Sequence, residues 1–502
     1  MPGPPLSKLA GSLLLTLSTL LGPTPARADG SFPEPRQILL PADRPEQIIL
    51  ATNFGLILSE DSGETWLFSC EQALSAYAGQ YLLAAQGSHR IFATTGAGLV
   101  YSDDDSCSWT AAGGTLSDVV PYALAVDPSN GQRVYAIGVL REDLHAGESI
   151  YVSDDGGLTF GAPVFTAPVR SALLTVLVAP SRPSRLFATM FATPENHPIL
   201  LRSDDSGEHW EVAANLVQSL GESPFELLAI DPMDENTLYV RVLGASAETL
   251  AITRDGGLSF VKSVSIPGKL KAFLKLASGT ILVGGTAGTA AIGYRSQDGA
   301  QTFEPWPEAP RVHALAERNG KLYVAGENFW DGYAIAESDD EGAHLRPLTG
   351  FNQVQGVKSC ASDLCAESCA YYAGINLWPE AVCAAVGNPP DADNPTPAGA
   401  GAGAGAGAKD GGKDARGQLA ADAGADVEAP GVGDKAGRPG LRSSGGGCAC
   451  SLVASPPARS WLALLLGGAL LAARRKTHMS RRAGAPAPAT DSRTEMRRRG
   501  LP

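Results

Sequence analysis

Short apolar runs alternate with polar turns along most of the chain, and this pattern predicts strands rather than helices. Between residues 119 and 160 apolar runs occupy 123–126, 133–139 and 149–152, and a fourth begins at Leu158. A turn of Asp, Pro, Ser, Asn and Gly at 127–131 separates the first two runs. Short runs bounded by such turns are typical of β-strands, so this stretch predicts a unit of four strands.

The same unit recurs along the chain. Equivalent pairs of apolar runs lie at 175–178 with 186–190 and at 227–230 with 238–242. An eight-residue motif of the form Ser-x-Asp-x-Gly-x-Thr-Trp begins at positions 59, 102, 153, 203, 253, 296 and 338, at intervals of 42 to 51 residues. Seven units of four strands predict an all-β fold, a seven-bladed β-propeller of four-stranded antiparallel blades over residues 34–352. Because the first unit already contains a first strand at 37–40, we expect the ring to close without exchange of a strand between the first and last blades.

The repeated motif resembles the Asp box, also called the BNR repeat, of sialidase-like propellers. Its carboxylate is suited to accept backbone N–H groups in a tight turn, and its glycine tolerates the positive φ that the turn needs. The resemblance implies turns between the third and fourth strands, on the face away from an active site. We therefore predict a structural role for the seven repeated carboxylates, Asp61, Asp104, Asp155, Asp205, Asp255, Asp298 and Asp340.

The first 28 residues have the organisation of a secretory signal peptide. Lys8 precedes an apolar run at 9–21, which Gly and Pro residues end before the Ala26-Arg27-Ala28 cleavage motif. The run is too short for a stable membrane span. We predict export, with a mature chain that begins near Asp29 in a compartment where disulfides persist.

The C-terminal region is predicted to carry a sorting signal after a spacer. Residues 387–447 are rich in Gly and Ala and predict a disordered linker, because they contain too few apolar residues to form a core. The linker is followed by Cys448 and Cys450, a short apolar helix at 461–473 and an Arg-Arg-Lys cluster. A basic disordered tail occupies 477–502. The segment 448–476 resembles the MYXO-CTERM tag. The resemblance implies a sorting protease that acts near Cys448 and Cys450, and lipidation there. It also implies membrane association and display at the cell surface or outer membrane, with release from the cell as a further outcome. A plain membrane anchor is the alternative.

The remaining six cysteines predict disulfides in an exported chain. Cys360, Cys365, Cys369 and Cys383 follow the last unit, within a Cys-rich segment at 353–386. We expect two disulfides among these four, with three possible connectivities, and a helix over 362–370; a zinc site is the rival hypothesis. Cys70 and Cys107 belong to neighbouring units, and we expect a bridge between them.

The charge distribution argues against nucleic acid as a partner. Residues 448–502 carry +8 and residues 1–28 carry +2, so residues 29–447 carry −24 within a net charge of −14. Binding to phosphates requires a basic surface instead. Hydrophobic residues make up 44% of the chain, which is too apolar for a wholly disordered protein.

Candidate binding residues lie in loops between second and third strands, because loops on a rigid scaffold commonly carry function. Three loops contain clustered aromatic or charged side chains: Arg141, Glu142, Asp143 and His145; Glu195 and His197; Glu327, Phe329, Trp330, Asp331 and Tyr333. Packing between the last and first blades is the alternative role for the three aromatics.

We predict a non-catalytic binding or scaffold module for a glycan or protein ligand, with no catalytic residues, metal or cofactor. The alternative is an exo-acting glycoside hydrolase of sialidase type. That resemblance would require a cluster of arginines for the substrate carboxylate, a Tyr–Glu nucleophile pair and an Asp acid. The two hypotheses differ in what lines the centre of the loop face, an arginine cluster or aromatic side chains.

Overall fold

The computed structural model describes residues 32–74, 78–85, 89–144, 147–193, 195, 197–384 and 386–387. The predicted signal peptide, the sorting segment with Cys448 and Cys450, the basic tail and all of the linker except Gly387 therefore lie outside the described residues. None of the described helices has the length and apolar character needed to cross a membrane.

The described residues form seven blades of four antiparallel strands, as the repeats predict, and one separate two-stranded sheet. Blade 1 contains β1 (Pro35–Leu39), β2 (Ile48–Thr52), β3 (Gly55–Ser59) and β4 (Leu67–Cys70); blade 2 contains β5 (Ala78–Leu83), β6 (Ile91–Thr95), β7 (Gly98–Ser102) and β8 (Thr110–Ala111). After β9 (Gly113–Gly114), blade 3 contains β10 (Val119–Val126), β11 (Val134–Leu140), β12 (Ser149–Ser153) and, beyond β13 (Thr159–Phe160), β14 (Phe165–Thr166). Blade 4 contains β15 (Ser171–Val178), β16 (Leu186–Ala192), β17 (His197–Ser203) and β18 (Glu211–Asn215).

The remaining three blades follow the same order. Blade 5 contains β19 (Phe225–Asp231), β20 (Asp234–Val242), β21 (Glu248–Thr253) and β22 (Val261–Ile266); blade 6 contains β23 (Lys269–Lys275), β24 (Ile281–Ala287), β25 (Ala290–Ser296) and β26 (Glu304–Pro305); blade 7 contains β27 (Ala314–Arg318), β28 (Lys321–Ala325), β29 (Ile335–Ser338) and β30 (Arg346–Thr349). Two more strands, β31 (Gly356–Lys358) and β32 (Val386–Gly387), come from the Cys-rich segment. The α-helices are α1 (Val217–Leu220), α2 (Asn328–Asp331), α3 (Ser362–Gly374) and α4 (Ala381–Ala384), and 3-10 helices span Glu71–Leu74, Thr115–Asp118, Phe351–Gln353 and Ser359–Ala361.

The second strand of each blade is the most apolar because neighbouring blades cover both of its faces. In β2, Ile48, Ile49 and Leu50 are all fully buried. Ile48 and Leu50 pack toward blade 7, whereas Ile49 packs toward blade 2. Buried strands of this kind form continuous apolar runs rather than alternating ones, and seven such interfaces make up the core.

The seven repeat turns share one pattern of internal hydrogen bonds, in which an imidazole replaces the last hydroxyl in two of them. In the first, the Ser59 hydroxyl donates to the Asp61 carboxylate at 2.8 Å and accepts the N–H of Gly63. The Asp61 carboxylate also accepts the N–H of Thr65 at 2.8 Å and its hydroxyl at 2.7 Å. The apolar residue that ends the motif packs toward the preceding blade, as Trp66 does in the buried cluster that contains Tyr323 of blade 7. Each of these turns is therefore closed by hydrogen bonds among its own residues.

The ring closes without strand exchange, as predicted, because blade 1 takes all four of its regular strands from the N-terminal part. The Cys-rich segment adds a feature that the repeats do not predict. Strand β31 pairs in parallel with β4 at the outer edge of blade 1, and β32 pairs in parallel with β31. Helix α3 contains the predicted helix over 362–370 and buries Cys365 and Cys369.

All six cysteines form disulfides, but the expected pairing is wrong. Cys70 bonds to Cys365 and Cys107 to Cys360, so the expected bridge between Cys70 and Cys107 does not form. Only Cys369–Cys383 lies within the C-terminal group. Blades 1 and 2 do meet near the first two cysteines, since the hydroxyls of Ser106 and Ser69 are 2.9 Å apart. The Cys-rich segment nevertheless lies close to both blades and supplies a separate partner to each.

The fourth strand of blade 3 also differs from the prediction. Residues 158–160 were expected to begin it, but β13 pairs in parallel with β9, at the end of blade 2. Strand β14 pairs with β12 instead and completes blade 3. The close approach of the first pair depends on Gly114, which has a φ of 73° and no room for a side chain, since a Cβ there would lie 2.2 Å from the carbonyl oxygen of Phe160.

Candidate functional site

One face of the propeller carries all the loops that join second and third strands. Since the strands of a blade are antiparallel, the start of strand 1 and the end of strand 2 lie at this same face, as the pairing of Ala314 with Ala325 shows in blade 7. We call it the loop face. The repeat turns lie at the opposite face, between strands 3 and 4. All the sequence-predicted binding residues that the structure describes lie in loops of the loop face or at the ends of those loops.

In the blade 3 loop, the predicted residue Arg141 holds the scaffold together. Its guanidinium donates to the carbonyl oxygens of Gly96 at 3.0 Å, Ala97 at 2.6 Å and Val119 at 3.3 Å. It thus connects the loop of blade 2 to the start of blade 3. Glu142 and Asp143 are exposed beside it, whereas His145 lies outside the described residues.

The blade 4 loop presents a smaller polar surface. Glu195 is exposed, and His197 is half-buried at the start of β17. The Nδ1 atom of His197 lies 3.4 Å from the Asn215 side-chain amide, so the imidazole is held against the fourth strand of its own blade. The structure does not link this loop to the blade 7 loop by any hydrogen bond or ion pair between described residues.

The blade 7 loop is organised by the carboxylate of Asp331. One oxygen accepts the N–H of Arg311 at 3.0 Å and the N–H of Glu327 at 2.8 Å, and the other pairs with the Arg311 guanidinium at 2.7 Å. These bonds fix the short helix α2 against the segment that enters blade 7. Tyr333, at the other end of the loop, is half-buried, and burial together with the nearby Asp331 carboxylate raises the pKa of its phenol.

Three aromatic side chains emerge from this fixed loop and from the segment before blade 1. Phe329, Trp330 and Phe32 are 46%, 61% and 57% exposed. The rings of Phe32 and Phe329 are 4.4 Å apart between centroids, and the Arg311 guanidinium lies 5.3 Å from the Trp330 ring. We call Phe32, Phe329 and Trp330 the aromatic patch. The sequence analysis missed Phe32 because it precedes the first strand and belongs to no loop between strands 2 and 3.

A cluster of charged side chains lies beside the aromatic patch. His313 is buried, with Nε2 at 3.3 Å from a Glu327 oxygen and Nδ1 at 3.7 Å from a Glu34 oxygen. The Lys271 ammonium is 3.2 Å from Nδ1 of His313 and 3.6 Å from the Glu34 carboxylate. We call Glu34, Lys271, His313 and Glu327 the charged cluster. Its members come from blades 6, 7 and 1, so only closure of the ring brings Glu34 to the other three.

The position of Glu34 in the charged cluster is set by the turn between β2 and β3. The N–H of Glu34 donates to the Asn53 side-chain oxygen at 2.9 Å, and the Asn53 amide donates to the carbonyl oxygen of Phe32 at 2.8 Å. One side chain therefore orients both a member of the aromatic patch and a member of the charged cluster. No sequence motif marks Glu34, Lys271 or His313, which is why pattern analysis did not select them.

Three arginines near the ends of loop-face strands are engaged within the scaffold. Arg241 pairs with Glu226 and donates to the carbonyl oxygen of Leu270, and Arg311 pairs with Asp331 and donates to the carbonyl oxygen of Thr289. With Arg141, these side chains are spread over blades 3, 5 and 7. Their guanidinium groups hold backbone and carboxylates in place rather than converging on one point.

At the opposite face, the repeat turns are strongly polar. The backbone N–H and imidazole of His209 lower the pKa of Asp205 to about 2, and the hydroxyl and N–H of Thr302 lower that of Asp298 to about 2. An open cleft of about 690 Å³ lies at this face between blades 7 and 1. Its charges are already matched, since the buried Glu337 carboxylate pairs with Lys321 and Arg346.

The sequence matches no protein-family model and no curated protein. Among solved structures, an ancestral GH74 enzyme aligns at 13% identity and a TM-score of 0.47, over 63% of this chain and 46% of the other. The GH74 xyloglucanase from Xanthomonas campestris aligns at 17% identity and a TM-score of 0.33, over 62% and 57%. YCF48 from Cyanidioschyzon merolae aligns at 13% identity and a TM-score of 0.43, over 58% and 92%. The chain thus spans about half the length of the two GH74 structures.

Proposed function

We propose that this protein is an exported β-propeller that captures a glycan or protein ligand on its loop face without transforming it. The observation that carries the proposal is the aromatic patch. Single exposed apolar residues are ordinary on protein surfaces, but Phe32, Phe329 and Trp330 are grouped. Flat aromatic surfaces with polar neighbours bind sugar rings and peptide side chains at little cost in conformational entropy.

The support beneath the aromatic patch favours a binding role. Arg311 and Asp331 fix the loop, so the ligand does not have to order it on binding, and preorganisation of this kind increases affinity. The position of Arg311 beside the indole ring of Trp330 adds a cation–π contact that restrains the ring. Exposed carboxylates in the blade 3 and blade 4 loops would supply hydrogen bonds at the rim of the same face.

The engaged arginines argue for binding over sialidase-type catalysis. A sialidase-type site needs free guanidinium groups directed at one substrate carboxylate. Arg141, Arg241 and Arg311 instead donate to the scaffold and lie on different blades. An enzyme of this type would therefore require arginines other than these three.

One observation supports the hydrolase alternative. The carboxylate oxygens of Glu34 and Glu327 lie within 4.8 Å of each other and of a nitrogen of His313. Two carboxyl groups about 5 Å apart are the arrangement used by retaining glycosidases. The Lys271 ammonium and His313 lie against the two carboxylates, which leaves little room for a scissile bond, so we rank this function second.

The binding proposal is tested by a screen of the purified, oxidised full chain on a glycan array and on a peptide array. We expect at least one class of ligand to be retained, and the double variant Phe329→Ala/Trp330→Ala to lose most of that retention. Leu258→Ala is the matched control, because Leu258 is 65% exposed but lies in the fifth repeat turn, at the opposite face. Equal retention by all three proteins would refute the proposal.

The hydrolase alternative is tested with fluorogenic sialosides and with plant and bacterial polysaccharides at several pH values. We expect no turnover from folded protein. Turnover that disappears in Glu34→Gln and in Glu327→Gln, with the fold retained, would overturn the binding proposal and establish catalysis.

The location of the protein is part of the same proposal. We infer a sorting protease that acts near Cys448 and Cys450, membrane association through the sorting segment, and display of the propeller outside the cell. The disulfides of the described residues support an oxidising compartment. Protease shaving of intact cells should release the propeller, and Cys448→Ala/Cys450→Ala should shift it to the medium or leave it unprocessed; a protein retained in the cytoplasm would contradict export.

A further inference from the structure

We propose that Glu34, His313 and Glu327 bind a divalent metal cation of the zinc or manganese type, and that the ammonium of Lys271 takes the place of the cation when none is bound. The site lies at the loop face, where blade 7 meets blade 1. It is separate from the proposed capture of a ligand by the aromatic patch, and neither proposal requires the other.

The donor set suits such a cation. One imidazole nitrogen and two carboxylate oxygens are ligands that Zn²⁺ and Mn²⁺ accept, and three protein ligands with an open position are common in exchangeable metal sites. The three candidate ligand atoms all lie within 4.8 Å of one another. Bonds of about 2.0–2.2 Å place the ligand atoms of a tetrahedral ion about 3.3–3.6 Å apart, so shifts of about an ångström would close the set.

Burial makes the site partly preformed. The His313 side chain is 4% exposed and the Glu327 side chain 13% exposed, so neither can move away into solvent. The backbone N–H of His313 donates to the carbonyl oxygen of Ala325 at 2.8 Å, and this bond fixes the start of β27. A bound ion would gain two ligands that do not need to be ordered.

One atom at the site lacks a partner. The second oxygen of Glu327, Oε1, is buried and accepts no hydrogen bond from any described residue. A buried carboxylate oxygen without a donor is costly and calls for an unseen partner. A cation shared between this carboxylate and His313 would supply one.

Lys271 explains how the cluster remains stable without the ion. Two carboxylates close together repel, and the Lys271 ammonium balances one of them. Its side chain is 30% exposed, so the ammonium can turn toward solvent when a cation arrives. The proposal therefore predicts competition between lysine and metal for the same carboxylates.

The test measures binding of Mn²⁺ to the full chain after chelator treatment, from the loss of the electron paramagnetic resonance signal of the free ion. Mn²⁺ is the chosen probe because sites rich in oxygen donors accept it, whereas the thiols of Cys448 and Cys450 select softer metals. We expect His313→Gln and Glu327→Gln to weaken binding at one site by at least about tenfold, the lower limit found even for residues outside the ligand shell. Lys271→Met should strengthen it.

The control is His209→Gln. His209, Asp205 and Glu208 form the other described group of metal-ligand type, but all three are exposed at the opposite face. Circular dichroism reports whether each variant is folded. If His313→Gln does not fold, the measurement on Lys271→Met still tests the proposal. Absence of binding, binding lost in His209→Gln instead, or weaker binding in Lys271→Met would overturn the proposal.

Discussion

The sulfur atoms of Cys70 and Cys365 are bonded although 295 residues separate the two cysteines in the chain. The bond between Cys107 and Cys360 spans 253 residues and is nested within the first. Together they attach the C-terminal segment to blades 1 and 2. Since the ring has no exchanged strand, these bonds and the parallel pairing of β31 with β4 help to tie the end of the chain to the first two blades.

Nested disulfides should stabilise the fold non-additively. If one is removed, the other still closes almost the same loop, because the two separations differ by only 42 residues. On the loop-entropy model, the quadruple variant should lose about 1–2 kcal/mol more of unfolding free energy than the sum of the losses in Cys70→Ser/Cys365→Ser and Cys107→Ser/Cys360→Ser. Urea unfolding of the three variants and the parent checks this, and strictly additive losses would contradict the model.

Glu71 should make the protein more stable in mild acid than at pH 8. Burial raises the pKa of its carboxyl to about 7. This effect outweighs the hydrogen bond from the N–H of Ala78 and the charge of Arg36, which both lower the pKa. The folded state then binds the proton more tightly than the unfolded state does, so stability is full below about pH 4.5 and falls as pH rises through 7, by about 3 kcal/mol. Glu71→Gln should remove this decrease and raise the melting temperature at pH 8; a lower melting temperature there would show that the carboxylate is needed.

Two repeat turns should lose stability as the pH rises. His209 and His344 occupy the position of Thr65, and hydrogen bonds to Asp205 and Asp340 raise the pKa of each imidazole. Each contributes stability that is present below about pH 6.5 and is lost as pH rises through the raised value. In His209→Thr/His344→Thr a hydroxyl that does not titrate takes over the bond, so we expect a smaller difference in melting temperature between pH 6 and pH 9. An unchanged difference would assign the pH dependence to other groups.

Arg141 should affect stability rather than ligand capture. Its guanidinium reaches carbonyl oxygens in two segments, so Arg141→Ala should lower the unfolding free energy by about 1–2 kcal/mol. Arg141→Lys should recover little of this loss of stability. A single ammonium nitrogen lacks the planar, forked shape by which the guanidinium reaches both segments. Loss of ligand retention with unchanged stability would instead assign Arg141 to the binding surface.

Local patterns predicted much of the fold because each blade is built from neighbouring residues. Apolar runs and turn residues mark the strands, and the repeated Asp motif marks the link from strand 3 to strand 4. The bonds from Ser59 and Thr65 to Asp61 span at most four residues, so short-range sequence contains all of the turn. The error in blade 3 arose where Phe160 pairs with the preceding blade, a contact that no periodicity records.

The candidate site was predicted only in part, for the same reason. Phe329 and Trp330 were identified because they are consecutive in a loop. Phe32 and His313 were missed because one precedes the first strand and the other precedes the last blade, and their roles depend on closure of the ring.

The sequence by itself determined the number of blades, the order of their strands and the chemistry of the repeat turns, since these depend on contacts within about 50 residues. Tertiary structure decided which cysteines bond and which side chains meet at the junction of blades 7 and 1. Those contacts join residues 34 and 313, or 70 and 365, and the energy of a contact between distant residues leaves no local pattern in either segment. Closure of the ring creates the candidate site, and the sequence specifies it only through the whole fold.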